Sequence, residues 1–296
     1  MTDTLIPSEL PVAGRGYTAA ASLRRNPLLL AGLAIALLLV LVALLAPVLA
    51  PHPADAGSAT NPAASLLPPS WAHLFGTDQV GRDLFSRVLY GARISLRIAA
   101  LVLLSSVVVG VPLGLAAGFF GGWVDAVIMR VTDIFLAFPA LLLSLALAAV
   151  LTPSVGNATI AIAVTWWPWY ARLARGQAAS VAGRPFIEAC RALGVPPLRM
   201  LWRHVLPNSL TPVIVQASLD VGGIILTAAA LSFLGLGAQD PTPEWGLMVS
   251  QGQSYFTTQW WLVTFPGVAI LLAALAFNLV GDGLREVLDP RRIQRR

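Results

Sequence analysis

The stretch IFLAFPALLLSLALAAVLTPSVGNATIAIAVTWWPWYA, residues 134–171, contains no charged residue. A helix needs roughly 20 apolar residues to cross a hydrocarbon core about 30 Å thick. This run is too long for one crossing and suits two. The turn signal Thr152-Pro153-Ser154-Val155-Gly156-Asn157 divides it.

Working outward, the same logic finds four more spans. Residues 98–120 form an apolar run containing Pro112, Gly114 and Gly118, which membrane helices tolerate better than soluble ones. Gly121-Gly122 makes a turn, and Asp125, Arg130 and Asp133 mark a polar helix start before the third span. Residues 210–234 are the fifth span, with Asp220 inside it, and residues 260–280 are the sixth. Residues 27–50 are the first, preceded by Arg24 and Arg25. That run exceeds the roughly 7–15 apolar residues of a cleaved signal. The expected fold is all-α: a polytopic membrane protein with six transmembrane helices.

Composition agrees. Of 296 residues, 57% are hydrophobic and 11% charged, against about a quarter charged in soluble chains. The formal charge is +5, and all 19 basic residues are arginine. They lie between apolar runs, so they report orientation in a membrane and not binding of nucleic acid. With the N-terminus in the cytoplasm, 15 arginines fall on inside segments and 4 (Arg82, Arg87, Arg93, Arg97) outside. The positive-inside rule favours this topology, with both termini cytoplasmic.

The connecting segments have their own character. Residues 52–74, rich in Pro, Ala and Ser, read as an outer loop. In residues 84–96, Leu84, Val88 and Ala92 line up beside Phe85 and Leu89, with Arg82, Arg87 and Arg93 off that stripe. This is the pattern of an interfacial amphipathic helix leading into a span. Residues 235–259 read as a polar, aromatic loop, and Trp260 and Trp261 suit an aromatic belt. Trp166-Trp167-Pro168-Trp169-Tyr170 reads as an interfacial anchor with a proline bend.

The absences narrow the function. A Walker A loop needs a lysine, and there is none. His52, His73 and His204 are scattered without ligand spacing, which argues against a built-in zinc site. A single cysteine, Cys190, excludes an intrachain disulfide and reads as a packing residue. Neither catalytic residues nor cofactor or metal ligands are expected in this chain, so any ATP chemistry has to come from a partner.

The most informative segment is 172–208. Pro185 suits a first helical turn, and Glu188 lies near the positive end of the helix dipole. Phe186, Cys190 and Leu193 share an apolar stripe opposite Arg184, Glu188 and Arg191. Gly194 is a natural stop, and Pro196-Pro197 can start a second short helix ending near Pro207-Asn208. Amphipathicity alone leaves open whether this is an ordinary surface loop or a docking element. Asp220 is likewise open. A mid-span aspartate costs about 2.5–3.5 kcal/mol on insertion scales, so it should face a water-filled path or a hydrogen bond from a neighbouring helix. Asp133 and Asp282 lie near helix ends, where water is close.

The run Glu188-Ala189-Cys190-Arg191-Ala192-Leu193-Gly194, followed by His204-Val205-Leu206-Pro207-Asn208, resembles the EAA loop of binding-protein-dependent ABC importer permeases. It departs at Cys190, where the pattern has Ala, and at His204, where it has Ile. Gly76-Thr77-Asp78-Gln79-Val80-Gly81-Arg82-Asp83, then Ser86-Arg87 and Tyr90-Gly91, is similar to the segment before the second span in dipeptide, oligopeptide and nickel permeases. Residues 231–237, residues 278–285 and Leu288-Asp289-Pro290 look like the same branch. The overall pattern is most similar to the second, "C"-type permease, which carries an extra first helix and a long first outer loop.

The resemblance implies a type I ABC importer transmembrane domain in the bacterial inner membrane. It divides the chain into a cytoplasmic tail (1–26), an extra helix (27–50), an outer loop with the amphipathic helix (51–93), a five-helix core (94–284) and a basic cytoplasmic tail (285–296). Glu188, Ala189, Gly194, Leu206 and Pro207 become the ATPase-coupling residues, and Asp220 a candidate for the translocation path. The implied partners are a homologous second permease, two ABC ATPases that bind ATP and Mg, an extracytoplasmic binding protein and lipid. Di- or oligopeptides are the implied cargo, with nickel or another small solute as the alternative. The competing class is an ATP-independent secondary transporter, which would carry its own coupling charges in the spans.

Overall fold

The structure is a computed structural model that describes residues 26–288. The expected tails, residues 1–25 and 289–296, lie outside the described residues. Among the described residues the chain is helical, with one isolated bridge between Thr77 and Asp83 and no longer strand.

Helix α1 spans Pro27–Leu49, capped by Asn26, whose side chain accepts from the Leu29 amide. Asn26 also donates to Glu286 at 2.7 Å, tying the start of α1 to the end of the last helix. Only Leu29, Gly32, Ala36, Ala43 and Ala46 of α1 are buried. The rest is a leucine-rich surface facing away from the bundle, which suits a peripheral helix in lipid.

Helix α2 runs without a break over Leu84–Phe120. At 1.5 Å per residue it is about 56 Å long, far more than a hydrocarbon core requires. The expected interfacial helix is therefore the first part of α2 and not a separate surface element. Arg82 and Arg87, expected off the apolar stripe, are almost completely buried. Carboxylates explain the difference: Arg82 Nε donates to Asp78 at 2.7 Å, and Arg87 Nε lies 3.6 Å from the same carboxylate.

The third apolar run is bent. Helix α3 (Gly122–Leu136) and α4 (Ala140–Val150) meet at 83°. Neither is long enough to cross alone, at about 22 and 16 Å. Pro139 sits at the break, and a residue before proline is disfavoured in the α region. Helix α5 (Val155–Ala182) follows the turn at Thr152–Ser154, with Ser154 accepting from the Asn157 amide. Among the described residues, four helices are long and apolar enough to span a membrane, or five if the bent pair counts as one span. That falls short of the expected six. Helix α5 is long enough, but its tryptophans, tyrosine and arginines lower its hydropathy.

Close packing against α2 explains how α5 stays inside the bundle. A Cβ added at Gly110, Gly114 or Gly118 would lie 2.4, 2.2 and 2.2 Å from the carbonyl oxygens of Trp167, Ala171 and Arg175. The facing Ala171, Ala174 and Ala178 are fully buried. This is the small-residue spacing that lets membrane helices approach backbone to backbone. Tyr170 is fully buried in the same contact and is therefore no interfacial anchor, while Trp169 beside it is exposed.

Helix α6 is Pro185–Ala192 and α7 is Pro197–Met200. A π-turn over Leu201–Val205 joins α7 to α8, Leu206–Phe233. Helix α9 (Trp245–Gly252) lies in the connection expected to be a loop, and α10 is Trp261–Leu288. Trp245, Leu247 and Met248 are buried, so α9 is plugged into the bundle. Trp261 is also buried, leaving Trp260 half exposed as the belt residue.

Candidate functional site

Two polar regions lie at opposite ends of α2. Near its C-terminal end is the loop 172–208. Helix α6 starts on Pro185 and closes with Gly194 at φ +75, where the Val195 amide donates to Cys190 O at 3.1 Å. That left-handed residue is the one a glycine supplies without strain. A single α6 side chain, Ile187, is fully buried. It joins Met200, Leu201 and Val205 against Val181 and Leu115.

The expected apolar stripe of Phe186, Cys190 and Leu193 is not the inward face. Phe186 and Leu193 are exposed, Leu193 by 82%, and Cys190 is half-buried. Leu198 and Trp202 are exposed beside them. The eight-residue helix turns Ile187 fully inward, with Cys190 packed beside it and Arg191 over the Phe119 ring, and leaves the rest of both stripes exposed. Glu188, Ala189 and Gly194 all lie on the exposed side, and a Cβ at Gly194 would meet nothing within 4 Å.

The expected end of the second short helix near Pro207-Asn208 is absent. The chain runs helically from Pro197 to Phe233. Pro207 has no amide to bond the carbonyl of Arg203, and the π-turn just before it accommodates that loss. Leu206 packs partly into the core beneath α6, and Pro207 is exposed.

Asp220, on α8, is partly buried. Tyr170 Oη donates to it at 2.6 Å from α5, and Gln216 Nε2 at 2.9 Å from the same helix. Asp133 and Asp125 on α3 pair with Arg172 and Arg175 on α5, the latter at 2.6 Å.

At the other end, residues 76–83 form a knot of buried polar groups. Asp78 accepts from the amides of Val80 and Arg82 and from Arg82 Nε. Arg82 Nη2 reaches Asp240 at 2.9 Å, across 158 residues of sequence. Partial burial pushes the Asp240 carboxyl up, but hydrogen bonds from Arg82 and Gln251 hold it below the usual range. Arg87 Nη1 bonds the carbonyls of Asp55 and Pro241, and its Nη2 is buried with no partner. Glu244 caps α9 through the Leu247 amide at 2.9 Å and meets Ser95 Oγ at 3.4 Å. Burial pushes its carboxyl up despite these bonds. Trp245 Nε1 donates to Val88 O at 3.0 Å. Sequence reading missed Glu244 and the buried state of Arg87. The signal was a charged pair of segments, 76–83 and 239–244, with no apolar run between them and their nearest spans.

With this geometry in view, the comparisons are specific. Residues 110–294 match the family described as binding-protein-dependent transport system inner membrane component. The chain belongs to that family. Residues 17–69 match the N-terminal transmembrane domain of oligopeptide transport permease C. The chain is 49% identical over 269 residues to the probable D,D-dipeptide transport system permease of Escherichia coli (strain K12), covering 91% of this chain and 89% of that one. It is 46% identical to a dipeptide transport system permease of Alkalihalophilus pseudofirmus, covering 91% and 88%. Among solved structures, the inward-facing MetNI methionine ABC transporter superposes with a TM-score of 0.54 at 17% identity, covering 70% of this chain and 98% of that one. The fold is thus that of an ABC importer transmembrane domain. The chain is a multi-pass inner-membrane permease component, not an enzyme, and works with a separate ATPase, a binding protein and a paired permease.

Proposed function

We propose that this chain is one half of the translocation path for di- or oligopeptides, and that residues 172–208 receive the movement of a partner ATPase. The observation that carries this reading is the exposed face of α6. Glu188, Ala189, Leu193 and the neighbouring Leu198 and Trp202 form a mixed charged and apolar surface with no covering element among the described residues. Ile187 and the core beneath it make that surface stiff. A short helix held this way transmits displacement, and the continuous helix from Pro197 to Phe233 carries it into the bundle.

The partners in this reading are a homologous second permease, two ATPases that hold ATP and Mg, and an extracytoplasmic binding protein. The poorly covered faces of α3, α4 and the break between them, with Ile134, Phe138, Leu141 and Leu142 exposed, support a contact with the second permease. Loop 172–208 and both termini are cytoplasmic, in keeping with the arginine distribution. The peptide cargo rests on the named relatives. Asp220, bonded between two helices, acts on the path by holding α5 to α8.

The test is uptake. Glu188→Lys with Gly194→Trp, in the complex reconstituted into vesicles with its binding protein, should cut ATP-driven uptake of labelled dipeptide at least tenfold. Undiminished uptake would overturn the coupling assignment.

A further inference from the structure

Two of the three histidines that are scattered in sequence meet in the fold. His52 follows α1, His73 sits in the long loop and Asp83 caps α2. Their ligand atoms all lie within 4.8 Å of one another. His73 Nδ1 is 2.9 Å from Asp83 Oδ1, and His52 Nδ1 is 3.8 Å from Oδ2. The two imidazoles are 5.0 Å apart, centroid to centroid.

We propose that His52, His73 and Asp83 bind one divalent cation of the zinc class, at the end of the bundle remote from residues 172–208. Zinc takes nitrogen and carboxylate ligands at about 2.0–2.2 Å, which sets tetrahedral ligand atoms roughly 3.4 Å apart. The two Asp83 contacts bracket that spacing. Small rotations suffice, and water fills the fourth position. Binding displaces a proton wherever an imidazole carries one on its ligating nitrogen.

A plain hydrogen-bond network accounts for less. The cap bond from Ser86 N at 2.8 Å and the His73 contact explain Asp83 and His73. They leave His52, whose Nδ1 is too far from Asp83 for a hydrogen bond. Its position is nevertheless held, because its amide donates to Ser86 Oγ at 3.0 Å. His73 is held too: Ser70 N and Gly76 N both donate to its carbonyl. Asp55, three residues after His52, accepts from the Asp83 amide at 2.8 Å and backs the carboxylate.

Charge points the same way. The interlocked cluster brings together Asp55, Asp78, Asp83 and Asp240, against Arg82 and Arg87. Ionised, these groups carry two more negative charges than positive, which a dication cancels. Access is graded: the Asp83 side chain is 1% exposed, His73 17% and His52 43%, so a cation enters past His52. Once bound, it clasps the end of α1, the loop and the start of α2 together.

The experiment uses the full chain, copurified with its partner subunits, stripped with a chelator and titrated with zinc chloride or cobalt chloride alone. Bound zinc is counted by mass spectrometry after gel filtration, and cobalt coordination is read from visible absorption. We expect one equivalent per chain beyond that held by the His52→Ala/His73→Ala double variant, and a four-coordinate cobalt spectrum that the double variant lacks. His52→Ala, at the exposed edge, should weaken binding at least tenfold without unfolding the chain. Asp83→Asn should also weaken it, although Asn caps a helix as well as Asp. Equal zinc retention by the parent and the double variant overturns the proposal, as does unchanged affinity in His52→Ala.

Discussion

Gly114→Ala should destabilise the bundle by about 1.5–3 kcal/mol. The added Cβ would sit 2.2 Å from Ala171 O and 2.8 Å from Ala174 Cβ, and both neighbours belong to a packed helix rather than to flexible side-chain tips. Restoring ordinary contact means parting α2 and α5 by about 1 Å, a gap that forfeits a quarter to a half of each dispersion well. If the glycine stripe and Ala171, Ala174 and Ala178 together share about 40 carbon contacts at 0.1–0.2 kcal/mol, the interface holds about 6 kcal/mol. Losing a quarter to a half of it gives the stated figure, within the usual range of about 1–3 kcal/mol for overpacking. For a chain of this size that lowers the melting temperature by about 3–12 °C. The assay is thermal unfolding of the detergent-solubilised protein by gel-filtration retention. Gly176→Ala is the control: this α5 glycine is exposed and has nothing within 4 Å of a built Cβ. It should be neutral or stabilising by up to about 1 kcal/mol. Equal behaviour of the two variants would refute the close-packing argument.

Other consequences are open to measurement. Asp78→Ala leaves Arg82 and Arg87 buried without their shared carboxylate and should cost about 3–5 kcal/mol, read in the same melts. Tyr170→Phe removes the bond to Asp220 and leaves a partly buried carboxylate short of a donor, so stability should fall by about 1–3 kcal/mol with the fold retained. Glu244 has a carboxyl raised by burial, so its neutral form favours the fold. Its contribution is greatest below the usual value of 4.5 and is lost as pH rises through the higher folded value. The melting temperature of Glu244→Gln relative to the parent should therefore rise between pH 4.5 and neutrality.

The apolar runs were legible because hydrocarbon demands them. Residues 27–50 and 210–234 map closely onto α1 and α8. The signals that failed are those in which a neighbour replaces lipid or water. The start of helix α5 falls in the fourth apolar run, but the helix continues past it through Arg172 and Arg175 because its wall is α2, and Gly110, Gly114 and Gly118 announce that contact only once the partner helix is known. Arg82 and Arg87 read only as charges off an apolar stripe because Asp78 and Asp240 cannot be assigned to them from spacing. Helix α9 is too short to stand out, and its cap, Glu244, looks like a loop carboxylate until it is found buried. On α6 the spacing gave a helix and its glycine stop, but eight residues hold too few turns for periodicity to say which face is inward.

These misreadings share a direction, and it bears on how the molecule works. At the start of α2 the chain spends buried charge on cross-links: Arg82 to Asp240, Arg87 to Asp55 and Pro241, Trp245 to Val88. Two segments distant in sequence, one at Asp55 and one at residues 240–245, are thereby locked to one helix end. At the other end of α2, the loop 172–208 is held through Ile187 and a thin apolar layer, while its charged and aromatic groups stay exposed. A force applied to α6 is therefore passed through Ile187 and the core beneath it to the helix from Pro197 to Phe233. It passes the Tyr170–Asp220 bond on the way, a direct side-chain link between α5 and α8. If that bond couples the two helices during transport, Tyr170→Phe should lower uptake while leaving nucleotide hydrolysis by the partner largely intact. A parallel fall in both would instead mark the bond as a structural support alone.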